Sequence, residues 1–100
     1  MQHFRDHHQG DLTLTDDLEI SGLVSGTVTV TPGRYLLLHG MITDDLVVQK
    51  TARATIHGTV GGAVLNHDGD VEIFGMVGSI QDFGVRKASV DAHAVIKGSN

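Results

Sequence analysis

The sequence predicts an all-β fold, a β-solenoid of about five turns in which each turn of about eighteen residues holds three short parallel strands. Three observations predict it. An Ile/Leu-x-Gly string recurs as Ile20-Ser21-Gly22, Leu38-His39-Gly40, Ile56-His57-Gly58, Ile73-Phe74-Gly75 and Ile96-Lys97-Gly98, with glycine spacings of 18, 18, 17 and 23. Between the glycines, apolar and polar residues alternate with the period of a half-buried strand, most plainly in Thr27–Thr31 (TVTVT). Aromatic content is only 4%, with 13 glycines and one proline. That composition suits a thin aliphatic layer between closely spaced strands joined by many tight turns.

Laid under one another, the turns form columns. Val24, Ile42, Val60 and Val77 follow the first four glycines at a fixed offset. Val28, Leu46 and Val64 share a column, as do Val30, Val48 and Asn66. Leu36, Ala54 and Val71 form another if one residue is deleted before Gly69, and Leu38, Ile56 and Ile73 one more. No turn can bury its own apolar residues, but stacking at about 4.8 Å makes each column continuous. Five turns then make a rod roughly 25 Å long.

Three corners separate the strands. The first is the structural glycine column Gly22, Gly40, Gly58 and Gly75. The second is Gly26, Asp44 and Gly62, and the third is Pro32-Gly33, Lys50-Thr51 and Asp68-Gly69. Glycine and aspartate tolerate the left-handed backbone that corners use, so Gly40 or Gly58 is expected at positive φ.

The chain divides into a polar N-terminal tail or cap over 1–9, a solenoid domain over 10–98 and a C-terminal end over 99–100. Residues 1–9 (MQHFRDHHQ) are too polar for a further turn, although Phe4 can cover the first core layer. The first turn, Gly10 to Ile20, sets Leu12 beside Val30 and Leu18 beside Leu36. Near the other end, a five-residue excess is expected around Phe83–Ala88, with register regained at Ala94, Ile96 and Gly98.

These residues resemble the bactofilins, bacterial polymer-forming cytoskeletal proteins. The resemblance rests on the repeated Ile-x-Gly-x-Val pattern, on Ile56-His57-Gly58-Thr59-Val60-Gly61-Gly62 and on the ending Ala94-Val95-Ile96-Lys97-Gly98, and spans about Gly10 to Gly98. It implies a right-handed β-helix with strands of about six residues that self-assembles end to end without nucleotide. Here the core is shorter than is usual in that family, and Asn66 stands where an aliphatic residue is expected.

Several chemistries find little support. Net charge is −5, with no basic stripe to offset phosphates, so no nucleic-acid partner is expected. Without cysteine there are no disulfides, thiolate metal sites or thiol catalysis, which fits a cytoplasmic location. No apolar run reaches the length of an integral membrane segment. His39 and His57 should stack, but their column continues with Ser21 and Phe74, so no third metal ligand follows. The acids Asp16-Asp17, Asp44-Asp45 and Asp68/Asp70 sit at corners, as turn chemistry expects, and match no calcium loop. Phosphate loops, nucleophile elbows and His-Glu-x-x-His are missing, so the chain is expected to be neither an enzyme nor cofactor-dependent. A hexapeptide-repeat acyltransferase, with His39 or His57 as base, is a remote alternative. It needs an aliphatic residue directly before glycine every six residues, whereas here the aliphatic precedes glycine by two.

What remains is association with protein. One surface is the rod's ends, where Phe4, Leu12, Val95 and Ile96 adjoin uncovered strand edges. The other is a flank of outward apolar residues: Leu23, Met41 and Met76 in one column, Val47 and Leu65 in a second, and Tyr35 and Leu37 beside them. The ends suit bactofilin-like self-assembly. The flank suits a small soluble binding or inhibitor protein, such as the immunity partner of a bacterial toxin.

Overall fold

The computed structural model describes residues 2–84, 87–92 and 94–96. The described chain is all strand and turn, wound as stacked coils with every strand pair parallel. One face is a six-stranded ladder of β1 (Gln2–Phe4), β4 (Leu18–Ile20), β7 (Tyr35–Leu38), β10 (Arg53–Ile56), β12 (Asp70–Ile73) and β14 (Ser89–Val90). The second face carries β2 (His7–Gln9), β5 (Leu23–Ser25), β8 (Met41–Ile42) and β15 (Val95–Ile96), and the third β3 (Leu12–Leu14), β6 (Val28–Val30) and β9 (Leu46–Val48). Two longer strands, β11 (Thr59–Asn66) and β13 (Met76–Asp82), run through both of these faces, their register slipping between Val60 and Ala63. Most strands are two to four residues long, shorter than the six that the family resemblance implies.

Five inward columns fill the rod. Val28, Leu46 and Val64 stack in register and are fully buried, as the repeat requires. The longest columns are Phe4-Ile20-Leu38-Ile56-Ile73-Val90 and His8-Val24-Ile42-Val60-Val77-Ile96. Their members are mostly branched aliphatics, which fit a pleated surface and lose little side-chain freedom on burial.

The first corner is built differently from the expectation. Gly40 and Gly58 are not at positive φ; the positive-φ glycines are Gly10 and Gly33. At this corner two successive N–H groups converge on one carbonyl of the coil before: His39 and Gly40 donate to Ile20, and His57 and Gly58 to Leu38. The convergence draws the backbones together. A Cβ on Gly22, Gly40, Gly58 or Gly75 would fall on the carbonyl oxygen of Asp6, Gly22, Gly40 or Gly58 respectively. Glycine is required here by close approach between coils, not by its own dihedrals.

The left-handed position belongs to the third corner. Gly33 (φ 79°), Thr51 (φ 67°) and Asp68 (φ 64°) take it in successive coils. In the first two, a turn closes by backbone hydrogen bonds from Arg34 N–H to Thr31 O and from Ala52 N–H to Gln49 O, both 3.0 Å. The third is one residue shorter, as the pairing of Arg53 with Asp70 requires.

Both ends depart from the expected register. The polar segment ahead of Gly10 forms β1 and β2, paired with β4 and β5, and so adds a coil where none was expected. Its Gln2 and His8 take the inward column positions over Leu18 and Val24, with no strand paired on their other side among the described residues. Leu12 pairs with Val28 rather than Val30, and Leu14 takes the place beside Val30, because the first coil's third corner is two residues shorter than the next. Leu18 does pair with Leu36. At the other end Val90 continues the Ile73 column and Ile96 the Val77 column, so Ile96 is no echo of Ile73 and no five-residue excess exists at 83–88. Two extra residues lie between Val90 and Val95 instead. Gly98 and the expected end segment 99–100 lie outside the described residues.

Candidate functional site

The outer faces bring the sequence-predicted flank residues together only in part. Leu23, Met41, Thr59, Met76 and Val95 do form one register column on the second face. Val47 and Leu65 are paired on the third face, between Thr29 and Gln81. Tyr35 and Leu37 are on the first, where the ladder is polar. Leu37 lies between Glu19 and Thr55. The Tyr35 hydroxyl donates to Thr55 Oγ1 (3.0 Å), and the Arg53 guanidinium lies over its ring while facing Asp70 and Glu72 at 3.5 and 3.8 Å. The seven residues are spread round the rod rather than gathered in one patch.

Stacking also builds ring ladders. His39, His57 and Phe74 stack with centroids 5.2 and 5.0 Å apart, and His67 stacks on Phe83 at 4.6 Å. Glu19 faces His39 Nε2 at 3.3 Å. Among the described residues no three His, Cys, Asp or Glu side chains are grouped to hold a metal ion.

The corner carboxylates are engaged in a way local turn chemistry does not anticipate. Asp11 accepts from Thr27 N–H (3.0 Å), Asp17 from Tyr35 N–H (3.0 Å) and Asp45 from Ala63 N–H (2.8 Å). Each ties its coil to the next one along. An open hollow of about 140 Å³ beside the shortened first-coil corner, lined by Leu12, Leu14, Leu18, Asp16 and Asp17, adds no reactive pair. Asp16 faces Arg34 at 3.7 Å and Asp17 is engaged by Tyr35 N–H.

The ends differ from each other. At the N-terminal end the last inward layer is Gln2, Phe4, His8, Leu12 and Leu14. Leu14 is buried, Phe4 and Leu12 are half-buried against the core, and the His8 ring meets the Phe4 ring edge-on at 6.3 Å. At the C-terminal end no strand is paired beyond β14 and β15 among the described residues. Val90 holds an inward column position yet is 42% exposed, beside the half-buried Ile80, Ala88 and Ile96. Val95 is 47% exposed and Phe83, the outermost ring of its ladder, 56%. The expected end residues Val95 and Ile96 lie in this last described coil, Val95 in the outward Met76 column and Ile96 in the inward Val77 column, beside exposed Gln81, Asp82, Lys87 and Ser89. Phe83 and Val90 belong with them and were missed; the register of Val90 with Ile73 is the signal that would have found it.

A scan of protein-family models finds no match to this chain, and searches of curated proteins and of solved structures find no similar chain. Among the described residues no helix is long and apolar enough to cross a membrane.

Proposed function

We propose that this protein is a non-enzymatic structural protein that works by self-association through the ends of its solenoid, in the manner of the bactofilins it resembles. One observation carries the reading. The column Phe4-Ile20-Leu38-Ile56-Ile73-Val90 runs the length of the rod and finishes on a valine 42% exposed. Inside the molecule, that column position is covered by the next coil. In the last described coil Val90 and Ile96 have no further strand over them among the described residues, and a strand edge of this kind is a template for another chain. The flank residues lie on three faces, so a lateral inhibitor-type interface has less to support it.

The test is sedimentation across a concentration series. The parent is expected to show a mass above that of one chain which rises with concentration. Ile96→Lys, which sets a charge into the end layer, should lower that association, while Met41→Glu on the second face should leave it intact. Association that survives Ile96→Lys and is lost with Met41→Glu would refute the reading and assign the flank.

A further inference from the structure

Asp68 and Gly69 are the only Asp-Gly pair in the sequence. From their setting we infer that they form a latent isoaspartate site, a self-modifying corner that Asn66 keeps closed. The reaction needs only the pair and water. The Gly69 nitrogen attacks Asp68 Cγ, a C–N bond forms, and the amide proton leaves with the carboxyl hydroxyl as water, giving a cyclic succinimide. Water then opens the ring. Opening at the former main-chain carbonyl leaves the chain running through the Asp68 side chain, an isoaspartate of unchanged mass with an extra methylene in the backbone. Glycine after aspartate favours the attack, because no Cβ shields its nitrogen. The extra methylene would lengthen a corner whose shortness sets the pairing of Arg53 with Asp70.

The fold forces the pair on this corner. Asp68 takes the left-handed position at φ 64°, which aspartate tolerates better than most residues. Gly69 is fixed by space: a Cβ there would fall on Val48 Cγ1 at 2.5 Å and on the Gln49 carbonyl oxygen at 2.8 Å. The same corner withholds both reacting groups. The Gly69 N–H donates to Asn66 Oδ1 at 2.8 Å, so freeing the nitrogen for attack costs a buried hydrogen bond. The Asp68 side chain is hemmed in from the next coil, where a Cβ on Gly84 would fall on its Cβ, Cγ and Oδ1 at 2.6, 2.8 and 2.8 Å. Cyclisation must therefore wait for local opening of the corner, and the Asn66 amide sets how often that happens.

The test is the rate of isoaspartate formation at Asp68 during incubation at neutral pH, read by enzymatic methyl transfer to isoaspartate and by fragmentation of the peptide that carries the site. The parent, Asn66→Val and Leu46→Ala are compared with a synthetic peptide spanning residues 66–71, and circular dichroism establishes that each protein is folded during the incubation. The folded parent should react about tenfold or more slowly than the peptide, because it reacts only when open. Asn66→Val should react about tenfold or more faster than the parent, whereas Leu46→Ala, which loosens the core away from this corner, should stay near the parent. Asp68→Asn gives a second readout that leaves Asn66 in place. Its side-chain nitrogen leaves as ammonia in the same ring closure, and hydrolysis registers as a mass gain, expected in urea and suppressed in the folded chain. A folded parent that reacts at the peptide's rate, or a folded Asp68→Asn variant that converts as fast as in urea, would overturn the inference. So would equal rates in Asn66→Val and Leu46→Ala, which would assign the protection to the fold as a whole and not to Asn66.

Discussion

Asn66 Oδ1 accepts the Gly69 N–H at 2.8 Å, taking the part played one and two coils earlier by the backbone carbonyls of Gln49 and Thr31. The fourth coil's corner is one residue shorter, and a side-chain carbonyl closes the turn that the backbone no longer can. The other end of the same amide donates to Asp82 Oδ1 at 3.1 Å, and Asp82 Oδ1 in turn accepts from Ala88 N–H at 3.0 Å. A polar residue in an aliphatic column thus adds a side-chain link between the last coils, alongside their β11–β13 backbone ladder. Among the described residues no buried side-chain nitrogen or oxygen lacks a partner.

From this follows a result opposite to what the column pattern suggests. Asn66→Val restores the Val30-Val48 series but leaves the Gly69 N–H without its acceptor. Stability is expected to fall by about 1–3 kcal/mol, the cost of an orphaned buried donor. Thermal melts of variant and parent check it, and a more stable variant would show that the amide is dispensable.

Two corner positions should respond with opposite signs. Thr51 is β-branched and sits at φ 67°, where such a side chain is strained. Thr51→Gly is expected to raise stability by about 0.5–1 kcal/mol, the relief of strain outweighing the added freedom of the unfolded chain. Gly58→Ala is expected to lower it by about 1–3 kcal/mol or more, as overpacking against the Gly40 carbonyl pushes two coils apart. Chemical unfolding of both variants gives the two signs directly.

Leu46 is fully buried between Val28 and Val64. Leu46→Ala opens a gap in a column one side chain wide and should cost about 2–5 kcal/mol. If the variant melts with the parent, the column is not the core.

The carboxylate of Asp45 holds the Ala63 N–H across the gap between coils. Asp45→Ala should cost about 1–2 kcal/mol and speed amide exchange at Ala63 relative to Val64 and Leu65. Unchanged exchange at Ala63 would mean that solvent serves that donor equally well.

Much of this fold could be read from the chain because each coil needs an aliphatic residue at each inward position, so Val28, Leu46 and Val64 announce their own alignment. Gly40 and Gly58 were readable as corners but not for the right reason. Their constraint is a distance to the neighbouring coil, which a residue's local dihedral preference does not express. The strands of residues 2–9 were not legible because Gln2 and His8, at inward column positions, break the aliphatic pattern. The last coil was misread because Ile96-Lys97-Gly98 imitates Ile73-Phe74-Gly75, while the true continuation through Ser89-Val90 carries no glycine signature. The candidate end surface was half legible. Val95 and Ile96 are apolar near the end of the solenoid repeat, but Phe83 and Val90 join them only once the register is known.

The pairing of each strand with the strand one coil later has a mechanical consequence. The hydrogen bonds join neighbouring coils along the rod, so tension applied between the two chain ends loads them in peeling, one coil at a time, rather than in shear. Each detached coil of about 18 residues releases roughly 60 Å of extended chain. Stretched by its termini, the rod should therefore lengthen in a staircase of near-equal steps at modest force, whereas load applied across a face would be borne by the covalent backbone of every strand it crosses.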